Sequence, residues 1–82
     1  MNSYVIRKLE RNCWLDALEF QTESILTSDD AESVIVGRIR KSRMPLFGCM
    51  GLCLIWRKPN GRESQVGKTI TLERMGQLFN HR

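Results

Sequence analysis

Hydrophobic and polar positions alternate over two early stretches of this chain, and a period of two predicts strands. In residues 3–10, Tyr4 and Ile6 fall on one face, Val5 and Leu9 on the other. Residues 17–24 alternate more cleanly: Leu18, Phe20 and Thr22 point one way, while Glu19, Gln21 and Glu23 face water, as in a half-buried strand. Between the two, Arg11 to Asp16 reads as a break with Asn12 at its turn.

The period then changes. Thr27-Ser28-Asp29-Asp30 offers a hydroxyl or carboxylate cap, Glu32 follows Asp29 by three residues, and Ala31, Val34, Ile35 and Ile39 share one helical stripe. Acids in the first turn and Arg38, Arg40, Lys41 and Arg43 near the end suit the helix macrodipole. Two features oppose the helix: Val34, Ile35, Val36 and Ile39 are β-branched, and Gly37 costs about 1 kcal/mol in a helix interior. The helix is expected to end before Pro45.

Residues 50–58 are an apolar run long enough for a central strand, and Pro59-Asn60-Gly61-Arg62 is the strongest turn signal in the chain. Val66, Lys68, Ile70 and Leu72 alternate in a returning strand, and Met75 to Arg82 reads as a short helix or a flexible end. The order is ββαββ. It predicts one α+β domain over residues 1–82, an antiparallel sheet with one helix packed on a face, residues 75–82 being its flexible or helical tail.

Eighty-two residues hold one modest core and one or two partner footprints, but hardly a deep substrate cleft. No apolar run approaches 18 residues, and the first ten lack the apolar stretch of a signal peptide, so the expected place is the cytoplasm, away from membranes. Three cysteines, Cys13, Cys49 and Cys53, argue against a disulfide framework there.

Charge sharpens the picture. The net charge of +4 divides unevenly: residues 1–32 hold three basic and seven acidic groups, a balance of −4, and residues 33–82 hold ten basic and two acidic, a balance of +8. A dipolar surface with one strongly positive region follows, unless these charges only solvate the exposed faces. Arg38, Arg40, Lys41 and Arg43 crowd the helix end; Arg57, Lys58, Arg62 and Lys68 flank the hairpin turn. Arginine leads lysine among these eight, five to three, which suits bidentate contacts to phosphate or carboxylate. Trp14, placed in a loop, is the candidate interface anchor, with a lid over the sheet edge as its other reading. Phe20 is expected in the core and Trp56 at the end of a central strand, so no stacking platform for bases is expected.

Candidate chemistry is sparse. Gly67-Lys68-Thr69 has the ending of a phosphate-binding loop, but the first glycine falls out of register at Arg62 and the segment reads as strand. Cys13, Cys49, Cys53 and His81 could nominally make a zinc site, but the paired cysteines enter an apolar strand instead of a tight turn. The one histidine, His81, stands next to the last residue, where general bases are rarely held in place. No metal, cofactor or catalytic residue is expected. Asp29, Asp30 and Glu32 are read as helix N-terminal charges.

Tyr4-Val5-Ile6-Arg7, Phe20-Gln21-Thr22-Glu23-Ser24, Ala31, Leu54-Ile55-Trp56-Arg57 and Asn60-Gly61-Arg62 together give a pattern, over residues 4–62, that resembles small phage-encoded anti-CRISPR proteins directed at type I effector complexes. That resemblance implies a stoichiometric, cofactor-free inhibitor in the host cytoplasm that covers a Cas subunit or its nucleic-acid path. The sequence reading is thus a non-enzymatic binding protein whose partner is a bacterial protein or ribonucleoprotein. A nucleic-acid-binding module is the alternative, and a small ribonuclease toxin the third reading.

Overall fold

A computed structural model describes residues 1–79. Four strands and two helices follow one another as β1 (Asn2–Glu10), β2 (Cys13–Thr22), α1 (Ala31–Ser42), β3 (Gly51–Arg57), β4 (Glu63–Thr71) and α2 (Leu72–Phe79). The strands form one antiparallel sheet in the order β2-β1-β3-β4. The expected ββαββ order and α+β class are present, and a second helix extends them.

Three boundaries differ from the sequence reading. First, β2 begins at Cys13, so Trp14 lies on a strand and not in a loop. The break shrinks to Arg11 and Asn12, both at positive φ (51° and 65°), the turn whose twist matches a two-residue hairpin. An arginine at the first turn position hid it, because glycine, asparagine and aspartate are the usual occupants. The pairing then slips between Ile6 and Arg7, leaving Ala17 as the extra residue of a bulge that restores Leu18 and Phe20 to the core side.

Second, β4 is not one even alternation. Val66 and Ile70 are both buried, but they pair with Leu54 and Leu52, so Gly67, Lys68 and Thr69 stand opposite Cys53 alone. Gly67 has φ +76°, and a Cβ there would come within 2.8 Å of the Ala31 Cβ and 3.2 Å of the Ser28 carbonyl oxygen. Only glycine lets the strand approach the start of α1 so closely. Third, Leu72 opens α2 instead of closing β4. The tail is helical to Phe79; His81 lies outside the described residues.

Helix α1 forms despite its β-branched residues because Ala31, Ile35 and Ile39 bury one edge against the sheet. Its start differs in detail from a side-chain cap. The Asp30 carboxylate accepts from the Thr27 N–H and hydroxyl, closing the preceding turn. At the other end Arg43 adopts the left-handed conformation (φ 57°), its N–H donating to Arg40 O and that of Met44 to Ile39 O, a Schellman closure. Both helices lie on one face of the sheet. Arg74 of α2 donates to both oxygens of Glu32 on α1, at 2.9 and 2.8 Å.

Between helices and sheet lies the main core, with Tyr4, Ile6, Ile35, Leu52 and Leu54 fully enclosed. Across the sheet, Phe20, Tyr4 and Trp56 are direct register partners on three adjacent strands. Their rings stack in a row at 5.7 and 6.4 Å.

Candidate docking surface

Among the described residues no helix covers the opposite face of the sheet, yet Val5, Cys53 and Ile55 on it are buried. Their cover is a roof of charged side chains. Arg7 donates to Asp16 at 2.8 Å and to Glu63 at 2.7 Å; Arg57 donates to Glu63 at 3.0 Å and also to Asp16 and Glu19. Asp16 and Glu63 each bridge both arginines. Their aliphatic stems shield the apolar floor while the charged heads stay in contact with water. Hydrogen bonds from Arg7 and then Arg57 hold the Asp16 and Glu63 carboxyls below their usual range, so both stay ionised. Burial pushes the Cys53 thiol up, away from a reactive thiolate.

At one end of this face the roof stops and apolar surface begins. Trp14 pairs with Leu9, and its indole reaches across β1 to Gly51 on β3, where the ring Cη2 lies 3.4 Å from the position a Cβ would take. Trp14 is 43% exposed. The Met50 N–H donates to Leu9 O at 2.7 Å, and Thr71 pairs with Gly51, which brings Met50 and Leu72 to the same end. Seven large apolar side chains are exposed among the described residues, and five of them, Trp14, Leu15, Phe47, Met50 and Leu72, belong to this end of the sheet. Exposed apolar residues concentrated at one end, on both faces of the sheet, make that end the candidate docking surface.

Phe47 is the extreme case, 98% exposed. It occupies the first corner of a tight turn closed by Cys49 N–H to Leu46 O at 3.0 Å, with Gly48 at φ +80° at the second corner. Cys49 is buried and its thiol donates to Gly51 O, so the turn is anchored from below. The phenyl ring is therefore held out on a fixed backbone.

The sequence-selected residues take up several sides of the molecule. Trp14 is central to the apolar end. Arg57 belongs to the roof, bonded to three carboxylates. Arg38 lies over the Phe20 ring at 4.3 Å, with Lys41 lining the same shallow cleft. Arg40 turns the other way, donating to Leu78 O at 2.8 Å and standing over Phe79. Arg43 closes α1. Lys58 lies 5.3 Å over Trp56, Arg62 sits in the β3–β4 turn, and Lys68 is on the β4 bulge near the start of α1. The eight basic groups thus share no single face, and Asp16, Glu19 and Glu32 of the acidic first third pair with three arginines, Arg7, Arg57 and Arg74. Cys13 is exposed on β2 while Cys49 and Cys53 are buried at different places. Among the described residues no three His, Cys, Asp or Glu side chains lie together as a metal site. No helix among them is long and apolar enough to cross a membrane.

Phe47, Met50, Leu72 and the roof were not singled out from the sequence. Pro45-Leu46-Phe47-Gly48 did carry a signal, since an aromatic residue bracketed by proline and glycine sits on a turn where it has little to pack against. Comparison with known proteins gives no counterpart: no family model, no curated protein and no solved structure matches this chain.

Proposed function

We propose that this chain is a non-enzymatic binding protein that docks a protein partner through its apolar sheet end, with Trp14 as the central anchor. One observation carries this reading: half-exposed Trp14, seated over Leu9 and Gly51 at the edge of the ion-pair roof. Binding hot spots have this composition, an aromatic anchor that is already ordered before binding, within a polar rim. The ordered roof supports the same view. Arginines that are already bonded to carboxylates present a fixed pattern of charge without needing reorganisation on contact.

Seven of the eight sequence-selected basic groups, all but Arg57, have no carboxylate partner among the described residues. Spread around the domain, they raise the rate of encounter with an acidic partner. The partner class follows the sequence resemblance: a bacterial protein or ribonucleoprotein, bound stoichiometrically by a phage or mobile-element inhibitor in the host cytoplasm. Nucleic-acid binding is the second reading, favoured by those same unpaired cations. Against it, Arg38 and Lys58 already occupy faces of the outer rings in the Phe20–Tyr4–Trp56 row, and the helices cover that side of the sheet, so no platform for bases is open.

The test is capture from bacterial lysate with wild-type and Trp14→Ala bait. A partner protein held by the first and lost by the second supports the proposal. Equal capture by both, or capture of nucleic acid alone, contradicts it.

A further inference from the structure

On the helix side of the apolar end, Leu46, Cys49, Leu72, Met75 and Phe79 line an open groove of about 550 Å³, with Phe47 at its lip. The same small region therefore holds a projecting aromatic knob and an apolar hole. A two-fold interface requires this of a surface, because each copy must supply both halves of the contact. We infer that this face pairs with a second copy of the chain, the Phe47 ring of each protomer seated in the groove of its partner.

Charge agrees with that occupant. Arg43 lies four residues before Phe47, on the stretch that carries the knob, and Glu73 follows Leu72 at the groove. Both are exposed, and neither has an oppositely charged partner among the described residues. In such a pair each copy offers the other an unpaired cation next to its knob stretch and an unpaired carboxylate next to Leu72, opposite charges that can meet twice. The turn at Leu46–Cys49 is closed before contact, so little order remains to be imposed on binding. The contact is small. A footprint of about 600 Å² per copy, the lower end for specific interfaces, is about a tenth of the 5767 Å² surface. A weak dimer is expected, populated as concentration rises.

The pairing rests on Phe47 and the helix-side groove, whereas the docking proposal rests on Trp14 on the open face, so substitutions at the two sites tell them apart. Sedimentation equilibrium of the full chain, over about a hundredfold range of concentration, should move from the mass of one chain toward that of two. Phe47→Asp should weaken the association by about thirtyfold or more. Its side chain touches little, so the variant keeps its fold, which its circular dichroism checks. Arg43→Glu should weaken association about tenfold, and adding Glu73→Arg should restore it. Trp14→Ala should leave the dimer unchanged. A chain that stays monomeric throughout, or a dimer indifferent to Phe47→Asp, overturns the inference, whatever else fills the groove.

Discussion

Trp14 on the edge strand β2 lies over Gly51 on β3, two strands away, with its Cη2 3.4 Å from where a Cβ would stand. The absence of a side chain at Gly51 makes a seat for the indole, which is therefore ordered without being enclosed. Trp14→Ala should lower stability by about 1 kcal/mol, well below the roughly 3–5 kcal/mol of a fully buried tryptophan. Thermal unfolding checks this. A large fall in Tm would place the ring in the core and remove it from the interface.

The same seat makes a second expectation. Gly51→Ala fits at ordinary contact distance, but Gly51→Leu must displace the ring. In a Trp56→Phe background, tryptophan emission should shift to the red for Gly51→Leu and not for Gly51→Ala. Unshifted emission from the leucine variant would show that Gly51 does not support the indole.

Much of this fold was legible in the pattern of the chain, and the exceptions have physical causes. The buried stripe Ala31, Ile35 and Ile39 and the apolar run over 51–55 were readable because each follows one period. What was not readable were the two places where the period breaks. The bulge at Ala17 hid the first half of β2 and so moved Trp14 into a loop; the bulge at Gly67 to Thr69 disguised the end of β4. For the site, Trp14 could be named as an anchor, but Arg57 could not be seen as bonded to three carboxylates. That depends on Asp16, Glu19 and Glu63 meeting it from other strands, a matter of register and not of sequence distance.

Gly67 offers a direct test of that register. Gly67→Ala puts a Cβ within 2.8 Å of Ala31 and holds a non-glycine residue at φ +76°. The expected loss is about 2–4 kcal/mol, measured by chemical denaturation. A loss under about 0.5 kcal/mol would mean that α1 and β4 are not in this contact.

The roof makes stability depend on pH in one direction. Hydrogen bonds from arginine lower the carboxyls of Asp16, Glu63 and Glu32 relative to the unfolded chain. A group whose folded value is depressed stabilises fully above its unfolded value. That contribution is lost as pH falls through the folded values, which lie below the ordinary carboxyl range. Stability should therefore be level from neutral pH down to about pH 5 and then decline. In carboxyl NMR titrations, Arg57→Ala should move Glu63 upward. An unmoved Glu63 would contradict the bridging geometry.

Thiol accessibility separates the cysteines. Cys13 is exposed, whereas Cys49 and Cys53 are buried. A thiol reagent should label one site quickly in the native protein and all three after unfolding. Fast labelling of Cys53 would mean that the charged roof does not cover its floor.

The central claim, docking on a protein through Trp14, is tested most directly by the salt dependence of binding. The ligands are the captured protein, free duplex DNA and free RNA; the variants are Trp14→Ala and Arg38, Arg40, Lys41 and Arg43 changed together to Ser. Binding to the protein partner should depend only mildly on salt. Trp14→Ala should speed dissociation at least about thirtyfold, and the fourfold change should chiefly slow association. Free nucleic acid should bind weakly at physiological salt. The opposite result would be tight binding to free nucleic acid that falls about a thousandfold between about 50 and 200 mM salt. If the fourfold change abolished that binding and Trp14→Ala left it intact, the docking account would be contradicted.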